Sequence, residues 1–500
     1  MTVDTPGWVR DAIFYQVFPD RFAPSDRVRK PGPMEPWDAP PTAHGFKGGD
    51  LRGVTERLGY LEDLGVNALY LNPIFSSASN HRYHTYDYLE VDPLLGGDDA
   101  LRELLDAAHG RGMRIVLDGV FNHTGRGFWP FHHILESGAA SPYRDWFHLD
   151  REALDAGRRP FAYPPPGTPP SALGYKAWWG LPALPKLNTD HPDVREFLFG
   201  VAEHWLRFGV DGWRLDVPGE IDDEAFWQEF RRRCRAIRPD AYLVGEIWWL
   251  APGWLRGDRF DALMNYPLGE AILGFAGGER LDLSVVNDHP EYRRHVRRLD
   301  GSELAGRVME LASAYDPDVV AVQLNVLGSH DTPRLRTVLG DDVARVRSAV
   351  LLMATLPGAP CVYYGDEVGL VGGKDPACRG AFPWDEARWE PGLHDSIRGL
   401  LRLRSAEPGL RDSPLRVAGA EGAAVAFERG AGMSHFVVAV NAGESGARLE
   451  VRLEGAPGVA DGRLVPIELP GFAGVGAASI RDGSATVELA ERSGVVLRVT

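Results

Sequence analysis

A short apolar run followed by an amphipathic segment recurs eight times along this chain, and few folds accommodate that pattern. The runs are AIFYQVF (12–18), ALYLNP (68–73), RIVLDGVF (114–121), GWRLDV (212–217), AYLVGE (241–246), ALMNYP (262–267), QLNVLGSHD (323–331) and PCVYYGDE (360–367). Between them lie helical patterns such as LRGVTERLGYLEDLG, DDALRELLDAAHGRG and VREFLFGVAEHWLRFG. Alternating strands and helices predict a parallel sheet, and eight such units predict a closed (β/α)8 barrel of the TIM type. The barrel is expected to occupy residues 1–412.

Two regions break the period. Residues 122–187 are rich in proline, glycine and aromatic residues, as in FAYPPPGTPPSALGYKAWWG. A connection of that length is usually functional, and it predicts an inserted subdomain after the third strand, beside the barrel mouth. From 413 to 500 the pattern turns to short alternating runs with glycine turns, which predict a C-terminal antiparallel β-sandwich.

Composition narrows the partners. The formal net charge of −16 disfavours nucleic acid and acidic membranes. No apolar stretch reaches 18 residues, so no membrane span is expected. The three cysteines form no CxxC pair, which predicts neither a disulfide framework nor a zinc site. The N-terminus carries no basic segment followed by an apolar run, so the expected location is cytoplasmic.

The strand ends are where chemistry gathers in a barrel. In DGWRLDV (211–217), Arg214 and Asp216 stand two apart in an apolar run and share one face of the strand. A structural ion pair would explain them, and so would an active site. Asp118, Asn122 and His123 end the third strand, Glu246 the fifth, His330 and Asp331 the seventh, and Asp366 and Glu367 the eighth. Acids converging on one mouth, with no nucleophile elbow, P-loop or HExxH, point to glycoside hydrolysis. That chemistry needs one acid to protonate a leaving oxygen and one carboxylate to attack or to activate water.

VLDGVFNH (116–123), GWRLDV (212–217), VGEIW (244–248) and GSHDTPR (328–334) occur in order at the expected strands. In these four motifs the chain resembles the α-amylase family of retaining glycoside hydrolases. LPKLN (184–188), YQVFPDRF, NHRYHTYDYLEVDP, WLRGDRFDALMNYP and GKDPACRG are similar to its neopullulanase, cyclomaltodextrinase and maltogenic amylase branch. The resemblance implies Asp216 as nucleophile, Glu246 as general acid/base and Asp331 as the third carboxylate. It implies substrate contacts from Tyr83, Asp118, His123, Lys186, Arg214, Ile247, Trp248, Tyr266, His330 and Arg334. Trp178, Trp179 and Trp249 are either packing or sugar platforms. Arg214 is expected to keep Asp216 ionised, and burial to keep Glu246 protonated. The retaining geometry implies a carboxyl separation of about 5–5.5 Å.

The implied substrate is a short or cyclic α-glucan, cleaved at α-1,4 bonds with α-1,6 bonds as a further candidate. Transfer to an acceptor sugar, or binding without catalysis, are the alternatives. With the first barrel strand expected near residue 12, the branch's N-terminal β domain is not expected here, and monomer and homodimer both stay open. It also carries an incomplete calcium set. Asp26, Gly48, Asp50 and Asn122 are the remnant ligands, Glu220 stands where a histidine ligand is usual, and FAPSDRVRK (22–30) places cations where oxygen ligands should be. No required metal or other cofactor is expected, while calcium remains allowed.

Overall fold

The computed structural model describes residues 3–453, 461–472 and 474–500. Residues 454–460 and 473, within the expected C-terminal domain, lie outside the described residues.

All eight apolar runs become barrel strands: β1 (Phe14–Val17), β2 (Ala68–Leu71), β5 (Arg114–Gly119), β6 (Gly212–Leu215), β7 (Tyr242–Gly245), β8 (Ala262–Leu263), β9 (Leu324–Val326) and β10 (Ala359–Tyr363). Two further strands, β3 (Phe75–Ser77) and β4 (Thr85–Val91), form a separate antiparallel pair after β2. Every barrel pairing is parallel, in the order β8-β7-β6-β5-β2-β1-β10-β9. A parallel bridge between Met264 and Leu324 closes the ring.

Alternation along the strands sorts the two cores. On β6, Trp213 and Leu215 face the outer shell, among residues such as Phe121, Phe230 and Phe260. Inside the barrel, Phe14, Ala68, Tyr70, Val116, Val244, Met264 and Cys361 fill the lumen. Arg214 shares that inner side, its guanidinium 5.9 Å from the Tyr70 ring centroid. The helices bury the faces that their spacing dictates. In the helix Gly97–His109, Ala100, Leu101, Leu104, Leu105 and Ala108 are buried.

The insertion after β5 is a compact irregular unit. It holds short helices (Trp129–Ser137, Arg151–Asp155) and isolated antiparallel bridges, including His123 to Lys186 and Ala177 to Pro185. Phe131 anchors it edge-on to Phe147 and Tyr175, each at 5.0 Å.

Eight antiparallel strands follow: β11 (Leu415–Glu421), β12 (Ala424–Ala431), β13 (Ser434–Asn441), β14 (Ala447–Arg452), β15 (Asp461–Pro466), β16 (Ala478–Arg481), β17 (Ser484–Leu489) and β18 (Ser493–Val499). They form one hydrogen-bonded sheet, β11-β12-β13-β18-β15-β16-β17-β14, folded over so that its ends meet. At that seam β11 and β14 are unpaired yet touch: a Cβ on Gly419 would come within 2.3 Å of the Glu450 carbonyl oxygen. Ala426, Val437, Leu449, Ile480, Val487 and Val495 fill the interior of the fold. Its other side, including Phe427, Val438 and Val496, joins the core that wraps the barrel.

Candidate active site

At the carboxyl ends of the strands, one guanidinium organises three carboxylates. Arg214 Nη1 donates to Asp118 Oδ1 at 2.9 Å and to Asp216 Oδ1 at 3.0 Å. Its Nη2 lies 2.9 Å from Glu246 Oε2. Its Nε points at the Met264 sulfur, 3.4 Å away. The arginine is completely buried, so these ion pairs are little screened.

Asp118 is a support for Arg214, not an exposed sugar contact. Its Oδ2 accepts from the Tyr70 hydroxyl at 2.6 Å and the Tyr83 hydroxyl at 2.8 Å. Tyr83 in turn stacks on His330, ring planes 7° apart and centroids at 5.1 Å.

Asp331 stands on the next side of the mouth. Gln16 and Asn72 both point amide nitrogens at His330 Nδ1, at 2.9 and 3.0 Å. Two donors make Nδ1 the acceptor and leave the ring proton on Nε2. That nitrogen faces Asp331 Oδ2 at 3.0 Å. Arg379 Nη2 holds the other oxygen at 3.1 Å, and His289 donates to the Asp331 carbonyl at 2.9 Å. Burial pushes Asp331 up, but His330 and Arg379 outweigh it and hold the carboxyl well below its ordinary range.

The general-acid candidate sits in a different setting. Glu246 Oε2 accepts the Val217 N–H at 3.1 Å, and Oε1 accepts the Trp248 indole N–H at 3.2 Å. Trp248 lies flat on Tyr266, with ring centroids 3.6 Å apart. Val217 is a β-branched residue at φ 37°, a left-handed conformation that costs energy and recurs at functional sites. Here the strain follows directly on Asp216 and aims the Val217 N–H at the acid.

Burial raises Glu246 above its ordinary value, opposed by Arg214 and reinforced by Asp331. Burial also raises Asp216 well above the carboxylate range, beyond what Arg214 takes back, and the charge on Glu246 adds to it. Arg214 was expected to keep Asp216 ionised; it does lower the carboxyl, but less than burial raises it. The guanidinium is shared among three acids, so the nucleophile candidate and its neighbour compete for one cation.

His123 completes the mouth. Burial lowers its pKa to about 3, so the ring is neutral. Asn122 Nδ2 faces its Nδ1 at 3.3 Å, and its Nε2 has no partner in the protein. Lys186, bridged to His123, donates to the Glu220 carbonyl at 2.9 Å and to its carboxylate at 3.1 Å, forming the wall beside it.

Two expected substrate contacts fall elsewhere. Arg334 is buried under the mouth, against the Tyr363 and Tyr364 rings at 4.1 and 4.5 Å and bonded to Asp366. It braces the loop that carries Asp331. Ile247 is 1% exposed and packs in the outer-shell core. In the other direction, Gln16, Asn72, Tyr70, His289 and Arg379 belong to the site and escaped a reading centred on four motifs. Gln16 and Arg379 lie within YQVFPDRF and GKDPACRG, so the signal for those two was in the sequence.

The remnant calcium ligands do not fit a calcium ion. Lys30 Nζ sits between Asp50 Oδ2, at 3.0 Å, and the Leu94 carbonyl, at 2.6 Å. Asp50 also accepts the Ser25 and Gly53 N–H groups, the second as a helix cap. Asp26 is exposed, and the Gly48 N–H donates to Asp20. At the insertion, the Lys186 ammonium takes the Glu220 carbonyl, while Asn122 Oδ1 is buried without a partner. In both places a lysine supplies the positive charge. Among the described residues no group of three or more His, Cys, Asp or Glu side chains could hold a metal ion.

Comparison with known proteins agrees with this geometry. The model of the α-amylase catalytic domain matches residues 16–398. The chain belongs to the α-amylase family. It is 44% identical to a cyclomaltodextrinase of Geobacillus thermopakistaniensis (strain MAS1) over 408 residues, 81% of this chain and 64% of that protein. It therefore spans somewhat under two-thirds of that relative's length. Two solved structures match end to end. Ttha1563 from Thermus thermophilus is 47% identical with a TM-score of 0.90, covering 99% of this chain and 100% of that one. The cyclic α-maltosyl-(1→6)-maltose hydrolase from Arthrobacter globiformis, bound to its cyclic sugar, is 36% identical with a TM-score of 0.84, covering 100% of both.

Proposed function

We propose that this protein is a retaining glycoside hydrolase that cleaves α-1,4 glucosidic bonds, and α-1,6 bonds as well, in short or cyclic α-glucans. The observation that carries this reading is the single guanidinium of Arg214 ion-paired with both Asp216 and Glu246, with Asp331 held separately by His330 and Arg379. Two acids on one cation can supply a nucleophile and an acid at the same bond.

Asp216 attacks the anomeric carbon in the ionised form that Arg214 favours, while Glu246 gives its proton to the leaving glycosidic oxygen. The bond to the leaving sugar breaks as the bond to Asp216 forms. Glu246, now ionised, takes a proton from water, which displaces Asp216 and regenerates the pair. Asp331, held ionised, accepts hydrogen bonds from sugar hydroxyls and favours the positive charge that develops on the ring. The free Nε2 of His123 donates to a sugar hydroxyl, and Tyr83 offers its ring. No step requires a metal, because Lys30 and Lys186 supply the charge at both candidate cation positions.

The relatives support this substrate class by what their names say they act on: a cyclomaltodextrin in one and a cyclic sugar with a 1→6 link in another. A second outcome at the same site is transfer to an acceptor sugar. The Trp248–Tyr266 stack shields Glu246 and disfavours water against a bound sugar hydroxyl. Among the described residues no helix is long and apolar enough to cross a membrane. The three cysteines are buried and unpaired, which supports a reducing, cytoplasmic setting. Monomer and homodimer are both compatible with this site, since each of its groups comes from one chain.

The test is a product profile on maltotriose, a cyclodextrin, pullulan and a cyclic tetrasaccharide with alternating α-1,4 and α-1,6 links, with and without EDTA. Opening of a cyclic substrate that persists in EDTA is the expected result. No cleavage of any α-glucan by the wild type, with Asp216→Asn as control, would sink the reading.

A further inference from the structure

Three aromatic rings form a ladder from the barrel mouth to solvent. His123, whose buried Nε2 has no hydrogen-bond partner in the protein, stacks on Trp178 with planes 7° apart and centroids at 4.8 Å. Trp178 stacks on Trp179 at 4.5 Å and 16°. Trp179 ends the ladder with 78% of its surface exposed. An isolated exposed tryptophan needs no explanation. This one is held at a conformational cost: its φ is 51°, in the left-handed region that a bulky side chain avoids. The turn that fixes it is tightly braced. The Trp178 backbone N–H bonds the Leu184 carbonyl at 2.9 Å, the Leu184 N–H bonds the Leu181 carbonyl at 2.9 Å, and Ala177 bridges Pro185. The fold thus accepts backbone strain to present an indole face outward.

From this geometry we infer that Trp179 is a binding platform for a glucose unit of the α-glucan lying outside the reacting sugar, and that it sets the chain length the enzyme prefers. This rests on the proposed function. The indole face matches the C–H face of a pyranose, a neutral ligand compatible with a strongly acidic chain. The inner end of the ladder is His123, which the proposed function sets against the reacting sugar. A glucan running out of the mouth along this wall therefore meets Trp179 at a distance from the scissile bond. Short substrates that end before that point do not reach it.

The test compares kcat and KM for maltotriose and maltoheptaose in the wild type, Trp179→Ala, Trp179→Gly and Trp179→Phe. Glycine relieves the left-handed strain and alanine does not, so similar losses in the two assign the effect to the ring. Expected is a rise in KM for maltoheptaose of ~3–10-fold in both, a clearly smaller rise for maltotriose, little change in kcat, and recovery in Trp179→Phe. Fluorescence titration with maltoheptaose in the inactive Asp216→Asn background should show a tryptophan signal that Trp179→Phe loses. Equal losses on both substrates, no loss on either, or dissociation of a dimer on losing the ring would each overturn the platform while leaving the proposed reaction standing. Absence of hydrolysis by the wild type would remove both.

Discussion

The two ends of strand β6 carry the same chemistry to opposite purposes. At its foot, Asp211 is surrounded by donors: His109 Nε2 at 2.8 Å and the cations Arg114 Nη1 at 2.9 Å and Arg238 Nη2 at 2.8 Å, with the Ile115 N–H on its second oxygen. Burial would raise this carboxyl, but those partners hold it below its ordinary value. Five residues along, at the mouth, the ratio inverts. One guanidinium serves Asp118, Asp216 and Glu246, and burial leaves the last two raised. A carboxylate with surplus cations is fixed in one protonation state and braces the fold. A carboxylate that must share a cation is poised to exchange protons, and sites of this kind are where catalysis is found.

Substitutions that exchange these roles test the contrast. The largest effect is expected from Asp216→Asn: kcat falls at least ~10⁴-fold, while the thermal midpoint holds or rises because a repulsive charge has left the mouth. Differential scanning calorimetry beside the rate assay separates the two readouts. Asp211→Ala should do the reverse. It strands His109, Arg114 and Arg238 around an empty position and costs about 3–5 kcal/mol of stability, read by urea unfolding, with kcat of the folded fraction unchanged. A large fall in kcat from Asp211→Ala would erase the distinction between the two ends.

The pH profile sharpens the comparison at the next level. Glu246 is raised by burial, so it keeps its proton above the ordinary carboxyl range and loses it as pH rises through the shifted value. The alkaline limb of kcat/KM should therefore vanish in Glu246→Gln assayed with an activated aryl glycoside, whose leaving group needs no proton. A limb unchanged in that variant would assign it to another group. Smaller again is the effect at Lys30. EDTA should leave the wild-type thermal midpoint unmoved, whereas Lys30→Ala, which leaves Asp50 and the Leu94 carbonyl without their cation, should lose about 1–3 kcal/mol. An EDTA-induced drop in the wild type would contradict the lysine assignment.

Much of this was legible in the sequence, and the limits have physical reasons. The eight strands were readable because each is a short run of buried apolar residues bounded by turns. The pairing of Arg214 with Asp216 followed from the two-residue period of a strand. The β3–β4 pair escaped because its residues alternate weakly and pair across register shifts. The single folded-over sheet at the C-terminus is a matter of strand pairing that alternation does not encode. Arg334 looked like a site residue because it belongs to the GSHDTPR motif with Asp331, but its side chain packs against Tyr363 and Tyr364. The raised Asp216 was missed because counting one arginine beside one aspartate ignores the burial of that aspartate, and then the other acids that the barrel closure brings to the same guanidinium. Val217 and Trp179 give no sign of left-handed backbone in their residue type, since neither is a glycine or an asparagine.

The central claim, that Asp216 and Glu246 on one arginine perform a double displacement, is tested most directly by the first anomer released. Proton NMR during the first minutes of maltotriose hydrolysis, faster than mutarotation, reads it. The account predicts the α-anomer at the new reducing end, and initial release of the β-anomer would contradict it.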